Sequence, residues 1–166
     1  MCARFVRKGV NMEIKERCIS KKEYLKRNNS DVGYALYVQN NIKKDDYARL
    51  NTGEIVRVTG IRENQVNKKA IYFGIYDDDW CDSAAVENFS ENIIDLVECG
   101  DYVNGELVTG IYDIVDSNYE SIGKKITTKY RTAQFTGLDI NYYIYAEDIK
   151  TILTHEQYNA NCYKVR

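Results

Sequence analysis

At 166 residues the chain is long enough to bury a core without disulfides or metal, and a composition of 44% hydrophobic and 29% charged residues excludes a disordered chain. No stretch approaches the roughly 20 apolar residues of a membrane span, and residues 1–11 lack the apolar run of a signal peptide, so the expected location is the cytosol. The net charge of −2 is uneven: residues 1–30 carry nine Lys/Arg and three Glu, and the remaining acidic body argues against broad nucleic-acid binding.

Residues 1–11 read as a basic, patternless extension, and Met12 offers an alternative start. Met12 to Ile19 has apolar residues on one strand face. Ser20-Lys-Lys-Glu23 has capping-box spacing and predicts a short helix over 21–28, ended by Asn28-Asn29. Gly33-Tyr-Ala-Leu-Tyr-Val38 reads as a strand, which makes residues 12–45 a strand-helix-strand element ahead of a β-rich domain over 46–166. Tyr47 to Ile61 is a pair of strands joined by a tight turn at Asn51-Thr52-Gly53. A polar strand, a Gly turn and then Glu-Ile-Val-Arg-Val-Thr-Gly-Ile is how small SH3-like barrels begin, with the Arg face left wet.

Ala70 to Tyr76 is a further strand, and its Gly74 points to a bulge or a close backbone approach. The acidic loop 77–82 follows. Asn104-Gly105 is the strongest hairpin signal in the chain, because both residues tolerate positive φ. Gly53-Glu-Ile-Val and Gly105-Glu-Leu-Val are similar, but two short matches do not establish a duplication. Residues 116–141 predict a long loop with a strand near 124–131. Tyr142 to Tyr145 is a strand, and Ile149 to Leu153 stays extended. Thr154-His-Glu-Gln157 is a second capping box, opening one helical turn before a last strand, Cys162 to Val165. The expected class is mostly β (β-rich α+β): a small SH3-like barrel or twisted antiparallel sheet with a short N-terminal helix. Proline is absent, so Gly, Asn and Asp must make the turns.

The chemistry-bearing residues are sparse. The five cysteines, Cys2, Cys18, Cys81, Cys99 and Cys162, are odd in number and lack CxxC spacing, which fits reduced thiols. A zinc site would have to draw on His155, the single histidine, whose place at a helix start fits a solvated or capping role. No phosphate-binding Gly loop and no GxSxG elbow is present. Asp77, Asp78, Asp79 and Asp82 offer hard oxygen ligands, yet their spacing fails the EF-hand pattern, so a solvated acidic turn is the ordinary reading. No cofactor, metal or catalytic group is expected.

The fifteen tyrosines suit a half-buried sheet or a contact face. The residues expected to meet a ligand or partner are Tyr47, Arg49, Arg57, Tyr72, Tyr76, Asp77, Asp78, Asp79, Trp80 and Arg131. Packing of an ordinary sheet is the competing account of the same residues. The basic arm, residues 1–30, is expected to lie on the acidic body of its own or a neighbouring subunit, the latter making a homo-oligomer.

Two segments carry a resemblance. Asn92 to Gly105 (NIIDLVECGDYVNG) and Ile149 to Val165 (IKTILTHEQYNANCYKV) resemble blocks, NIIDLIEVGDYVNG-like and IKSIVTKEQF-like, of short phage and prophage proteins of low-GC Gram-positive bacteria. The likeness covers roughly residues 46–166. It implies a non-catalytic accessory protein that binds and inhibits a host protein, an antiviral-defence component being one candidate. An oligomeric sponge for a small nucleotide is the alternative, and a weak nucleic-acid-binding module the third.

Overall fold

The computed structural model describes residues 18–63, 69–74, 78–129 and 143–164. The chain divides into two compact units, Met1–Asn92 and Ile93–Arg166, so the boundary expected near residue 46 is replaced by one near residue 92. The architecture is mostly β: two antiparallel sheets of five strands, one in each unit. Among the described residues, no helix is long and apolar enough to cross a membrane.

The first unit opens with helices α1 (Lys21–Asn28) and α2 (Asp31–Asn41). Ser20 caps α1 by accepting the Glu23 amide at 3.2 Å, and Asn29, at φ 44°, ends it in the left-handed conformation. Ser30 caps α2 through the Gly33 amide at 2.9 Å. The strand expected at Gly33–Val38 is therefore a helix. Its tyrosines favour strands, but Tyr34, Val38 and Ile42 recur at the helical spacing of four and are all buried. Tyr24, Tyr34 and Tyr37 form an aromatic cluster with centroids 5.4 to 5.9 Å apart, and Phe89 lies 6.0 Å from Tyr37. The strand expected from Met12 begins outside the described residues.

Strands β1 (Tyr47–Leu50), β2 (Ile55–Glu63), β3 (Lys69–Phe73), β4 (Asp79–Asp82) and β5 (Val86–Ser90) follow, with a 3₁₀ turn at Ser83–Ala85. Their order is β4-β3-β2-β1-β5, a meander whose fifth strand returns to pair with the first. The pair of strands expected over Tyr47–Ile61 is present as β1 and β2. Among the described residues no pairing joins β4 to β5, so the sheet is open rather than a closed barrel. Its inner face carries Ala48, Val56, Val58, Ile71, Val86 and Phe89.

Two acids in this core hold their protons more tightly than usual. Burial, helped by Tyr37, Glu87 and Cys18, pushes the Tyr34 phenol well up, and burial with the Asp82 charge pushes the Cys81 thiol up to about 11. The unfolded chain releases these protons first, near 9.0 for the thiol and 10.0 for the phenol. Stability should thus stay level on this account through neutral pH and fall as pH rises past about 9. Urea midpoints measured between about pH 7 and 11 should show this fall, and Tyr34→Phe combined with Cys81→Ala should flatten it; an unchanged slope in the double variant would refute the assignment.

The second unit contains β6 (Tyr102–Val103), β7 (Glu106–Val115), β8 (Ser121–Thr128), β9 (Ile144–Tyr145), β10 (Ile152–Leu153) and α3 (His155–Lys164), with a 3₁₀ turn at Ala146–Asp148 after β9. Its strand order is β10-β6-β7-β8-β9. The topology of the first unit is repeated: four strands in a meander, a 3₁₀ turn, and a fifth strand paired with the first. Asn104 and Gly105 make the two-residue turn between β6 and β7 at φ 53° and 82°, as the sequence predicts. Asn104 also reaches out of its turn. Its amide donates to the Asp148 carbonyl at 2.8 Å, and its Oδ1 accepts the Lys150 and Thr151 amides at 2.8 and 3.1 Å.

The predicted capping box at Thr154 is formed reciprocally: the Gln157 amide donates to Thr154 Oγ1 at 3.3 Å and the Thr154 amide to Gln157 Oε1 at 2.9 Å. The helix it opens runs from His155 to Lys164, so the expected last strand at Cys162–Val165 is helical through Lys164. A satisfied N-terminus favours continuation, and Ala160, Asn161 and Cys162 contain no breaker. The long loop expected from residue 116 shrinks to a short turn before β8, held by Asp116 Oδ1, which accepts the Asn118 and Glu120 amides. Residues 130–142 lie outside the described residues.

Candidate contact site

The outer face of the first sheet follows from strand alternation. On β3, Ile71 points to the core while Ala70 and Tyr72 flank it on the other side. Ile71 pairs with Cys81, and Tyr72 stands directly opposite Trp80. Trp80 is 57% exposed. The Arg62 guanidinium lies over the Tyr72 ring, 4.5 Å from its centroid, a cation–π contact. Asp82, two residues along β4 from Trp80, shares its face, and Asp78 and Asp79 beside it are exposed. The site is thus an aromatic pair with a guanidinium at one side and carboxylates along the edge strand.

A groove of about 410 Å³ continues this surface, lined by Val32, Leu36 and Gln39 of α2 and by Asp82 and Ala84. Val32 and Leu36 are 72% and 53% exposed, which leaves an apolar rim beside Asp31 and Asp82. At Gly74, whose φ is +93°, an Asp78 carboxylate oxygen occupies the space a side chain would fill. The approach at Gly74 is thus made by a side chain and not by the backbone expected there.

The expected contact residues separate. Tyr72 and Trp80 come together, with Asp78 and Asp79 close to them in chain. Tyr47 and Arg57 face each other across β1 and β2 as a different pair, and Arg57 is held by Asp45 at 3.0 Å. Arg49 is a correction: it is 4% exposed, flanked on the inner strand β1 by Ile55 of β2 and Asn88 of β5. Tyr76, Asp77 and Arg131 lie outside the described residues. Arg62 and Asp82 belong to the face, although alternation along each strand alone does not reveal which neighbours meet.

Other chemistry is thin among the described residues. No group of three or more His, Cys, Asp or Glu is placed to hold a metal. Cys18, Cys81 and Cys99 are not in disulfides. His155 is exposed at the start of α3, with Asn159 Nδ2 3.1 Å from its Nε2.

Fold and face together define a mostly β protein of two antiparallel five-stranded sheets, the first of which exposes the Trp80–Tyr72 aromatic pair. No protein-family model, no curated protein and no solved structure matches the chain.

Proposed function

We propose that this protein is a non-catalytic accessory protein, of the phage or prophage type that its two blocks resemble, which docks on a basic surface of a host protein in the host cytoplasm and blocks it. The observation carrying this reading is Trp80: a large ring, more than half exposed, set beside Tyr72 and bordered by Asp78, Asp79 and Asp82. Exposed aromatics of this kind become the buried anchors of interfaces, and carboxylates around them favour a basic partner and speed the encounter.

The test is capture from host lysate with wild type and Trp80→Ala in parallel. The variant should lose at least about thirtyfold in affinity for the captured protein, the weight of a central aromatic anchor. Its melting temperature should barely move, since truncating an exposed side chain typically costs within about 0.5 kcal/mol. Equal capture by both chains would overturn the reading.

The Arg62–Tyr72 stack favours a second reading, a sponge for a small nucleotide, because a ring beside a guanidinium is how bases and phosphates are held together. A rise in melting temperature with a nucleotide panel would select it; a protein blocker should show none.

A further inference from the structure

The two units match beyond their strand order. Each first strand is preceded by a buried aspartate, Asp46 at 3% and Asp101 at 0% exposure. Asp46 accepts the Lys43 amide at 2.8 Å and Asp101 the Glu98 amide at 2.8 Å, the same three-residue span. The Val58 and Val108 amides donate to the Asp46 and Asp101 carbonyls, both at 2.8 Å. The residue before each aspartate, Asp45 or Gly100, has positive φ and donates its amide back to that valine. Each second strand then bulges at the same place, between Val58 and Gly60 and between Val108 and Gly110. The first turn of each unit is tied to its closing segment, Asn51 to Ala85 and Asn104 to Thr151. A shared sheet order could arise by convergence, but this set of details points to one module used twice.

The match fixes which residues correspond. Ile71 lies between Ile61 and Cys81, and Ile126 between Ile111 and Ile144. Stepping out from these core triplets, Trp80 corresponds to Tyr143, Asp82 to Tyr145 and Arg62 to Tyr112. Tyr143 and Tyr145 have rings 6.5 Å apart, and Tyr112 meets Tyr143 edge-on at 6.0 Å. Lys125 Nζ lies 4.1 Å from the Tyr143 centroid, so this face also has a cation on a ring, though from the position of Ala70 rather than of Arg62. Tyr112 and Tyr145 remain 48% and 37% exposed. Exposed Glu147 and Asp148 follow β9, so carboxylates border this face too.

We infer that the second unit carries a second contact face, Tyr112–Tyr143–Tyr145, equivalent to the Trp80 face and taking the same kind of partner, a segment rich in Arg and Lys. The inference rests on the function proposed above and makes the protein bivalent. Its charge argument is the same: among the described residues, the cation on each face is engaged with a ring, and exposed carboxylates, Glu147 and Asp148 here, follow in chain.

The full chain can be titrated with an Arg/Lys-rich decapeptide at low salt. Trp80 is the single tryptophan, so its emission reads the first face. Trp80→Phe with Tyr143→Trp moves the only indole to the second. Both chains should show saturable changes with affinities within about tenfold of each other, and Tyr145→Ala should weaken the second titration at least about tenfold while leaving the Trp80 titration of the parent chain unchanged. Should Tyr143→Trp prevent folding, calorimetry on the parent chain should count two peptides, falling to one with Tyr145→Ala. A response at Trp80 with none at the second face overturns this inference and leaves the proposed function standing. Silence at both faces overturns both, and an Asp/Glu-rich peptide binding the second face in place of the basic one overturns the inference.

Discussion

Asp101→Ala should lower the stability of the second unit by on the order of 3 kcal/mol, because it removes one carboxylate and leaves two amides without their acceptor. Asp101 is fully buried, accepting the Glu98 amide at 2.8 Å through one oxygen and the His155 amide at 3.0 Å through the other. The second of these opens helix α3, whose positive N-terminal end also favours the negative charge. In a domain of this size such a loss lowers the melting temperature by roughly 12 °C or more. Asp101→Asn keeps one good acceptor and should cost about half as much. Asp116→Ala is the control, since Asp116 also accepts two amides but in an exposed turn where water replaces it. It should cost under about 1 kcal/mol. Circular dichroism melts of the three variants decide it. Equal losses for Asp101→Ala and Asp116→Ala would show that burial is not what gives Asp101 its weight.

Phe89→Ala should cost the first unit about 3–5 kcal/mol, the usual range for emptying a buried aromatic site. Phe89 has no exposure, stands opposite the equally buried Ala48 in the β1–β5 pair, and lies 6.0 Å from the Tyr37 ring. Small Ala48 leaves the room that Phe89 fills, and Tyr37 brings α2 onto the same spot. The truncation therefore loosens the helix and the sheet together. A domain has only about 5–15 kcal/mol of stability in total, so the loss approaches unfolding. Phe89→Leu should cost about 1.5 kcal/mol or less, because it conserves most of the volume. Urea unfolding followed by Trp80 emission measures both; a loss below about 1 kcal/mol for Phe89→Ala would mean that the α2–β5 contact contributes little.

The aromatic face was only partly readable in advance. Tyr72 and Trp80 stood out as aromatic residues in or beside β segments, and both belong to the face. Their partners did not. Arg62 lies ten residues from Tyr72 in sequence, and it reaches the ring only because the bulge after Val58 sets the β2–β3 register. Arg49 looked as wet as Arg57, since both lie on the same face; Arg49 is buried with Ile55 and Asn88 directly beside it, whereas Arg57 stays exposed. The second face was missed although Tyr142-Tyr-Ile-Tyr145 advertises aromatics. Its correspondence to Trp80 needs Ile126, Ile144 and Lys125 set side by side.

The recurrence of topology was hidden by a shift in register. Gly53-Glu-Ile-Val and Gly105-Glu-Leu-Val look alike, but the bulges align Val58-Thr-Gly-Ile61 with Val108-Thr-Gly-Ile111, two residues out of step with that match. The first hairpin of the second unit is shorter by two residues on its second strand. A change of two preserves which side chains face inward, so the fold tolerates it while the sequence match is displaced.

What the residues determined by themselves is local. The caps at Ser20 and Thr154, the Asn104-Gly105 turn and the alternating β2 strand each depend on groups within a few positions of one another. They form as read because a hydroxyl, a carboxamide or a missing Cβ acts on its immediate backbone. What only the tertiary structure decided is every outcome that joins distant segments: helix rather than strand at Tyr34, the division near residue 92, the burial of Arg49, and the meeting of Arg62, Tyr72 and Trp80. Burial and register are set by the surfaces available to pack against, and those surfaces exist only once both sheets have formed.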